Sequence, residues 1–241
     1  MLAAAGCVAT LTTAPKSSLN TDWAQAALAY SIENVRKNLS LADFPELTRD
    51  GQWTLDKGGG WVGGHWTGLL WLAYSHTREA ALEKAAREWT ARLAPRQHDT
   101  GTHDLGFLFE LSYLLGSKLT GDEGLEGPAI QAARTLTRRF NEKGRFIRAW
   151  GALEADDRRG RAIVDTMMNL YLLYWASKET GEAALAQIAT SHACTALKYQ
   201  ARADWSTSHT MDFNPDTGEF LRQDTHQGLA AASCWSRGLA W

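Results

Sequence analysis

Two acidic residues stand where long apolar runs begin: Asp104 in RQHDTGTHDLGF (96–107) and Asp165 in RAIVDTMMNLYLLYWA. Two carboxylates in one cleft, given different surroundings, can divide the work of general acid and general base. The first stretch also holds two His-Asp pairs, His98-Asp99 and His103-Asp104, whose donor types would suit a metal ion. Their spacing argues otherwise, because neither HExxH nor a third clustered ligand accompanies them. No metal and no cofactor is therefore expected, and His98-Asp99 reads as loop polarity. A plainer reading of each acid taken singly is a helix cap, worth about 1 kcal/mol and no more. Both acids falling at one end of the fold would favour chemistry over capping.

The elements that must hold these residues are helical. Apolar residues recur at helical spacing almost throughout, and β-branched alternating runs are nearly absent. The pattern predicts helices over about 20–38, 65–76, 78–93, 104–119, 127–140, 162–180, 183–201 and 227 to the end. TGLLWLAY, DLGFLFELSYLL and DTMMNLYLLYWA are apolar on nearly all sides and should be buried. REAALEKAAREWTARL, PAIQAARTLTRRF and EAALAQIATSHACTAL are amphipathic and alternate with them. Buried helix followed by wrapping helix predicts an all-α fold, an (α/α)6 toroid, whose inner helices run parallel and start at one end. Those starts carry Gly64-His65-Trp66, His103-Asp104, Asp165 and His226-Gln227. Eight predicted helices fall short of the twelve in six hairpins. The chain also stops inside SRGLAW without a helix-stop signal. An incomplete toroid, truncated at its C-terminus and poorly soluble or inactive alone, is the expectation.

Composition bounds the remaining possibilities. The 241 residues suit one domain, assigned to 20–241, behind an N-terminal tail over 1–19. MLAAAGC before a Thr/Ser/Pro-rich stretch is like the end of a lipoprotein signal, though no basic start precedes it. A periplasmic or lipid-anchored protein is one expectation and a cytoplasmic one the alternative. Net charge is -2 with both signs scattered, which leaves no footprint for nucleic acid. LYLLYWA is far shorter than the roughly 20 residues of a membrane span. Cys194 and Cys234 read as buried thiols, and with Cys7 they form no CxxC pair. GGGWVG (58–63) fits GxGxxG in letters only, since no βαβ pattern surrounds it. Eleven tryptophans are far above ordinary usage. As a set, their flat apolar faces and single N–H donors suit stacking on sugar rings.

HDLGF, RAIVDTMMNLYLLYWASKETG, DFNPDTGEFLRQDTHQG and WSRGLAW, in this order, resemble the unsaturated glucuronyl hydrolases of glycoside hydrolase family 88. The resemblance implies removal of a 4,5-unsaturated uronic acid from the non-reducing end of lyase-generated oligosaccharides, of glycosaminoglycan type or similar. It implies hydration of the C4=C5 enol ether, followed by opening of an unstable hemiketal. By motif match Asp165 is similar to the family's general acid/base and Asp104 to its second acid. Trp150, His209, Gln227, Arg237 and Trp241 fall on substrate-contact positions, with His103 beside Asp104; Trp61 joins them as a candidate contact.

Protonating C4 calls for a neutral carboxylic acid. A helix N-terminus would favour the anion of Asp165, whereas the charge of Asp104 and desolvation against Trp150 would raise its pKa. The expectation is one acid kept neutral and the other ionised, with Arg237 or helix-terminal N–H groups facing the substrate carboxylate. Ala231-Ala232 and Leu239 replace residues more often acidic or Gln in the family, and His65 replaces an aromatic. These changes concern the cleft wall and hence the aglycone. Two alternatives stand beside this reading: a family 105-like unsaturated rhamnogalacturonyl hydrolase acting on pectin fragments, and a toroid that binds acidic oligosaccharide without turnover.

Overall fold

The structure, a computed structural model, describes residues 22–155 and 158–241. The expected tail over 1–19, with its lipoprotein-like stretch, lies outside the described residues.

The chain is mostly helical, as the periodicity predicts. The principal helices are α1 (Asp22–Lys37), α2 (Gly63–Thr77), α3 (Ala80–Arg92), α4 (Leu105–Phe109) and α5 (Leu115–Thr120). They are followed by α6 (Glu126–Thr137), α7 (Thr166–Thr180), α8 (Ala183–Tyr199) and the short α9 (Ser236–Ala240). A wider π turn at Glu110–Leu114 joins α4 to α5. Gly121 and Gly181 end α5 and α7 in left-handed conformations, where a Cβ would be penalised.

The apolar helices α2, α4 and α7 lie side by side, with α3, α6 and α8 packed around them. Two glycines permit this closeness. A Cβ at Gly64 would stand 1.9 Å from the Phe107 carbonyl oxygen, and one at Gly106 2.4 Å from Asn169 Cα. Further along, Gly68 meets Leu111 and Glu110 meets Leu172. Contacts that advance together along each pair mean parallel helices starting at one end. The core between the layers buries Trp71, Leu70, Leu105, Leu108, Phe109 and Leu172. The Trp71 Nε1–H donates to Thr90 Oγ1 at 3.0 Å, so the indole is buried without an orphaned donor.

Burial of the apolar helices is one-sided, contrary to expectation. Leu69 and Leu72 of α2 and Met168, Tyr171 and Tyr174 of α7 are exposed. Cys194 and Cys234 are exposed as well, which corrects their reading as buried thiols.

Short strands supply what the helical reading lacks. β1 (Phe44–Arg49) and β2 (Gln52–Asp56) form a hairpin, and β3 (Phe140–Asn141) pairs β4 (Phe146–Ile147). β5 (Arg161–Ile163), β6 (Thr210–Phe213) and β7 (Phe220–Asp224) make an antiparallel sheet in that order. The helix expected from 162 thus begins as a strand and turns helical only at Thr166. The helix expected from 227 is helical only over Ser236–Ala240. In β5, Arg161 is locked to Asp212 of β6 by two hydrogen bonds of 2.6 and 2.7 Å, which fixes the register. The next link, Val164 N–H to the His209 carbonyl at 3.0 Å, carries the sheet pairing to the threshold of α7.

Candidate active site

Asp165 sits where β5 hands over to α7, at the N-cap position, yet its side chain makes no capping bond. Its carboxylate turns inward and is 8% exposed together with the rest of the residue. Oδ1 accepts from Trp241 Nε1 at 3.2 Å and lies 3.9 Å from Arg237 Nη1. Oδ2 faces His209 Nε2 at 3.5 Å. Burial pushes this carboxyl up, but His209 and the charge of His103 pull it further down, and it ends below its ordinary value. The expected raised pKa is therefore corrected: burial acts as anticipated, and the donors gathered around Asp165 outweigh it.

Asp104 also occupies an N-cap position without capping, at the head of α4. Its Oδ2 accepts from Thr102 Oγ1 at 2.7 Å and its Oδ1 faces His103 Nε2 at 3.2 Å. His103 is oriented from behind by Ala149, whose carbonyl lies 2.7 Å from Nδ1. A carbonyl only accepts, so His103 Nδ1 carries a hydrogen. An antiparallel bridge between Thr102 and Trp150 places the indole edge-on to both His103 and His226. Arg139, buried, ties these segments together. It donates from Nε to the Arg148 carbonyl at 2.8 Å and from Nη1 to the carbonyls of Thr100 and Gly151. Burial lowers its pKa to about 10, which still leaves it charged at neutral pH.

A small cavity of about 70 Å³ opens between the two acids. Trp61, His103, Asp104, Trp150 and Asp165 line it, with Gln227 and Arg237 completing the expected residues. Ile163 and His226 line it too. His209 and Trp241 touch Asp165 without lining the cavity, so all nine expected side chains converge on one place. Arg237 donates to Gln227 Oε1 at 2.8 Å, and its guanidinium stacks over Trp235, Trp61 and Trp241. His65 packs against Trp61 and Phe107 in the adjoining wall, and burial lowers its pKa. Beyond Trp61 and His65 a larger cavity of about 520 Å³ lies between α1, the β1–β2 hairpin and α2.

His98 and Asp99 do not join the site. Asp99 accepts from Arg96 Nε at 2.9 Å and from Gly101 N–H at 2.8 Å, which holds the turn before His103. Sequence reasoning missed Thr102, Arg139 and Trp235, and it marked His226 only as a helix start. Trp235 stands 4.3 Å from His209, ring to ring. Trp235 opens the WSRGLAW motif but was not singled out within it, and nothing in the local pattern distinguished Arg139 from surface arginines. Among the described residues no three His, Cys, Asp or Glu side chains are grouped to hold a metal ion. No helix among them is long and apolar enough to cross a membrane.

The family described as Glycosyl Hydrolase Family 88 matches residues 28–241. An unsaturated glucuronyl hydrolase of Bacillus sp. (strain GL1) is 36% identical over 232 residues, 91% of this chain and 59% of the relative. An unsaturated chondroitin disaccharide hydrolase of Streptococcus pneumoniae (strain ATCC BAA-255 / R6) is 36% identical over 88% of this chain and 56% of its own length. The crystal structure of an unsaturated glucuronyl hydrolase from Streptococcus agalactiae superposes with a TM-score of 0.80 at 32% identity. That match covers 89% of this chain and 56% of the other. The chain thus spans less than two thirds of the length of the relatives it matches.

Proposed function

Because the chain belongs to Glycosyl Hydrolase Family 88, we propose that it removes a 4,5-unsaturated uronic acid from the non-reducing end of lyase-generated oligosaccharides. The relatives named for unsaturated glucuronyl groups and chondroitin disaccharides favour glycosaminoglycan fragments as the substrate class. The parallel α2, α4 and α7 with their outer partners support an (α/α)6 toroid as the architecture of the family domain. A periplasmic or lipid-anchored location rests on the small residues before Cys7 alone. Palmitate labelling that Cys7→Ser abolishes would check it.

One observation carries the reading: two carboxylates, neither used for capping, face one small cavity beside an arginine bedded in indoles. The substrate is an anion, and Arg237 is the positive group within reach of it. In the resting site Arg237 stands 3.9 Å from Asp165 and helps favour the anion. A substrate carboxylate that draws Arg237 to itself removes that help and adds a negative charge, so both changes raise the Asp165 pKa. Asp165 then takes up a proton and delivers it to C4. Its conjugate base next receives a proton from the water that adds at C5. The hemiketal so formed opens, and the aglycone leaves with its anomeric oxygen. Asp104, held by Thr102 and His103, is placed to bind the sugar hydroxyls and fix the ring.

Incubation with unsaturated uronyl disaccharides, sulfated and unsulfated, tests this directly. Turnover consumes the ultraviolet absorbance of the conjugated double bond and yields a keto acid. Binding with undiminished absorbance would replace the enzyme reading by a lectin-like one. Turnover of unsaturated rhamnogalacturonyl fragments alone would move the specificity to pectin.

A further inference from the structure

His209 is as buried as His103, and its two ring nitrogens are committed in different ways. Nδ1 accepts the backbone N–H of His226 at 3.2 Å and that of Gln227 at 3.0 Å. A nitrogen that accepts two N–H groups bears no hydrogen, so the neutral ring carries its proton on Nε2. That Nε2 is buried, has no other partner, and faces Asp165 Oδ2, which is equally buried and without a formal hydrogen bond. Charging the ring would require giving up both backbone bonds. His103 is built the other way round: its Nδ1 donates to a carbonyl, leaving Nε2 to meet Asp104.

We propose that His209 is a positioning residue, held in the Nε2–H tautomer by the backbone of residues 226–227, which orients Asp165 and couples it to the segment bearing Gln227. This rests on the reading of Asp165 as the proton-transferring group. The coupling is mechanical as well as electrostatic. Gln227 accepts from Arg237, and Arg237 and Trp235 enclose the same pair. Substrate that moves Gln227 or Arg237 therefore also disturbs the amides that fix the His209 ring. The groups facing His209 are Asp165 from the head of α7, His226 from its own anchoring segment, and Trp235 with Arg237 behind it. The lowered pKa of Asp165 agrees with a donor aimed at its anion.

Two variants separate the two halves of the ring. In His209→Asn the amide oxygen can replace Nδ1 as acceptor for the backbone, but no donor reaches Asp165. In His209→Gln the amide N–H₂ can replace Nε2, but the backbone amides lose their acceptor. The proposal expects His209→Asn to lower kcat and move the alkaline limb of the kcat/KM profile upward by about half a unit or more. It expects His209→Gln to keep that limb and raise KM, because the Gln227 segment is loosened. Side-chain nitrogen NMR of the protein, with the His209 signal assigned by its loss in the variants, should show the neutral ring as the Nε2–H tautomer. An Nδ1–H tautomer, or variants that raise KM alike with an unmoved limb, would overturn the proposal. Equal loss of kcat in both with an unmoved limb would do so too. If Asp165→Asn itself keeps normal turnover, the underlying reading of Asp165 fails instead, while the NMR result stands on its own.

Discussion

Gly106→Ala perturbs the contact on which the relative placement of Asp104 and Asp165 depends. The added Cβ would lie 2.4 Å from Asn169 Cα and 2.9 Å from Asn169 Cβ, both part of α7. Carbon atoms rest about 3.5–4.0 Å apart, so α4 and α7 must separate by about 1 Å. Overpacking of this kind costs roughly 1–3 kcal/mol. The same contact holds a buried hydrogen bond, Phe107 N–H to Asn169 Oδ1 at 2.8 Å. Asn169 in turn donates to the Asp165 carbonyl at 3.1 Å. Stretching the first bond leaves a buried donor unsatisfied, for about 1–3 kcal/mol more. The expected loss is about 2–6 kcal/mol, a large part of a typical total of about 5–15 kcal/mol. A misplacement near 1 Å should also lower kcat/KM by about 10²-fold in the molecules that remain folded. Urea unfolding reads the first effect, with the midpoint falling at unchanged slope, and uronyl turnover reads the second. Gly127→Ala is the control: it lies in α6, nothing stands within 4 Å of its would-be Cβ, and its φ is not positive. That change should be neutral or stabilise by up to ~1 kcal/mol. A Gly106→Ala protein within about 0.5 kcal/mol and twofold of the parent would refute the claim that this crossing sets the site.

Asp165→Asn should cost about 10²–10⁴-fold or more in kcat while calorimetry still detects substrate binding; near-normal turnover would remove Asp165 from its role. Glu110, between the π turn and α7, is pushed up to about 8 by burial, although it accepts the Leu172 N–H. The folded protein thus keeps a proton that the unfolded chain sheds near 4.5. Stability should therefore fall as pH rises from about 4.5 through about 8. Glu110→Gln should flatten that slope, so unfolding midpoints for the two proteins should diverge between pH 5 and 9; parallel curves would contradict the assignment. Exhaustive chelation should leave turnover in place, because the Nδ1 atoms of His103 and His209 are already committed to backbone groups. A loss restored by a divalent metal would overturn this.

Asp104 and Asp165 stood out in the sequence itself, whereas Trp150, His209, Arg237 and Trp241 entered as candidates only through the family resemblance. Asp104 and Asp165 precede apolar runs, and a helix start is a local property written in a few residues. The alternation of all-round apolar and amphipathic segments was equally readable, since a 3.6-residue period needs no partner to declare itself. Strands of two to six residues give no such period, so β5 was absorbed into the helix after it. Its pairing with β6 joins residues about fifty positions apart, with Asp212 reaching Arg161 across the chain. Protonation was decided by tertiary structure alone. Asp165 was expected to be the raised acid beside Asp104, and instead burial is outweighed by His209 and the charge of His103, both distant in the chain. A carboxyl's pKa follows the donors and charges packed within a few ångströms, and no local pattern encodes that list. The opposite roles of Nδ1 in His103, a donor, and in His209, an acceptor, have the same origin. One ring meets a carbonyl and the other two amide hydrogens, and only the folded backbone determines which.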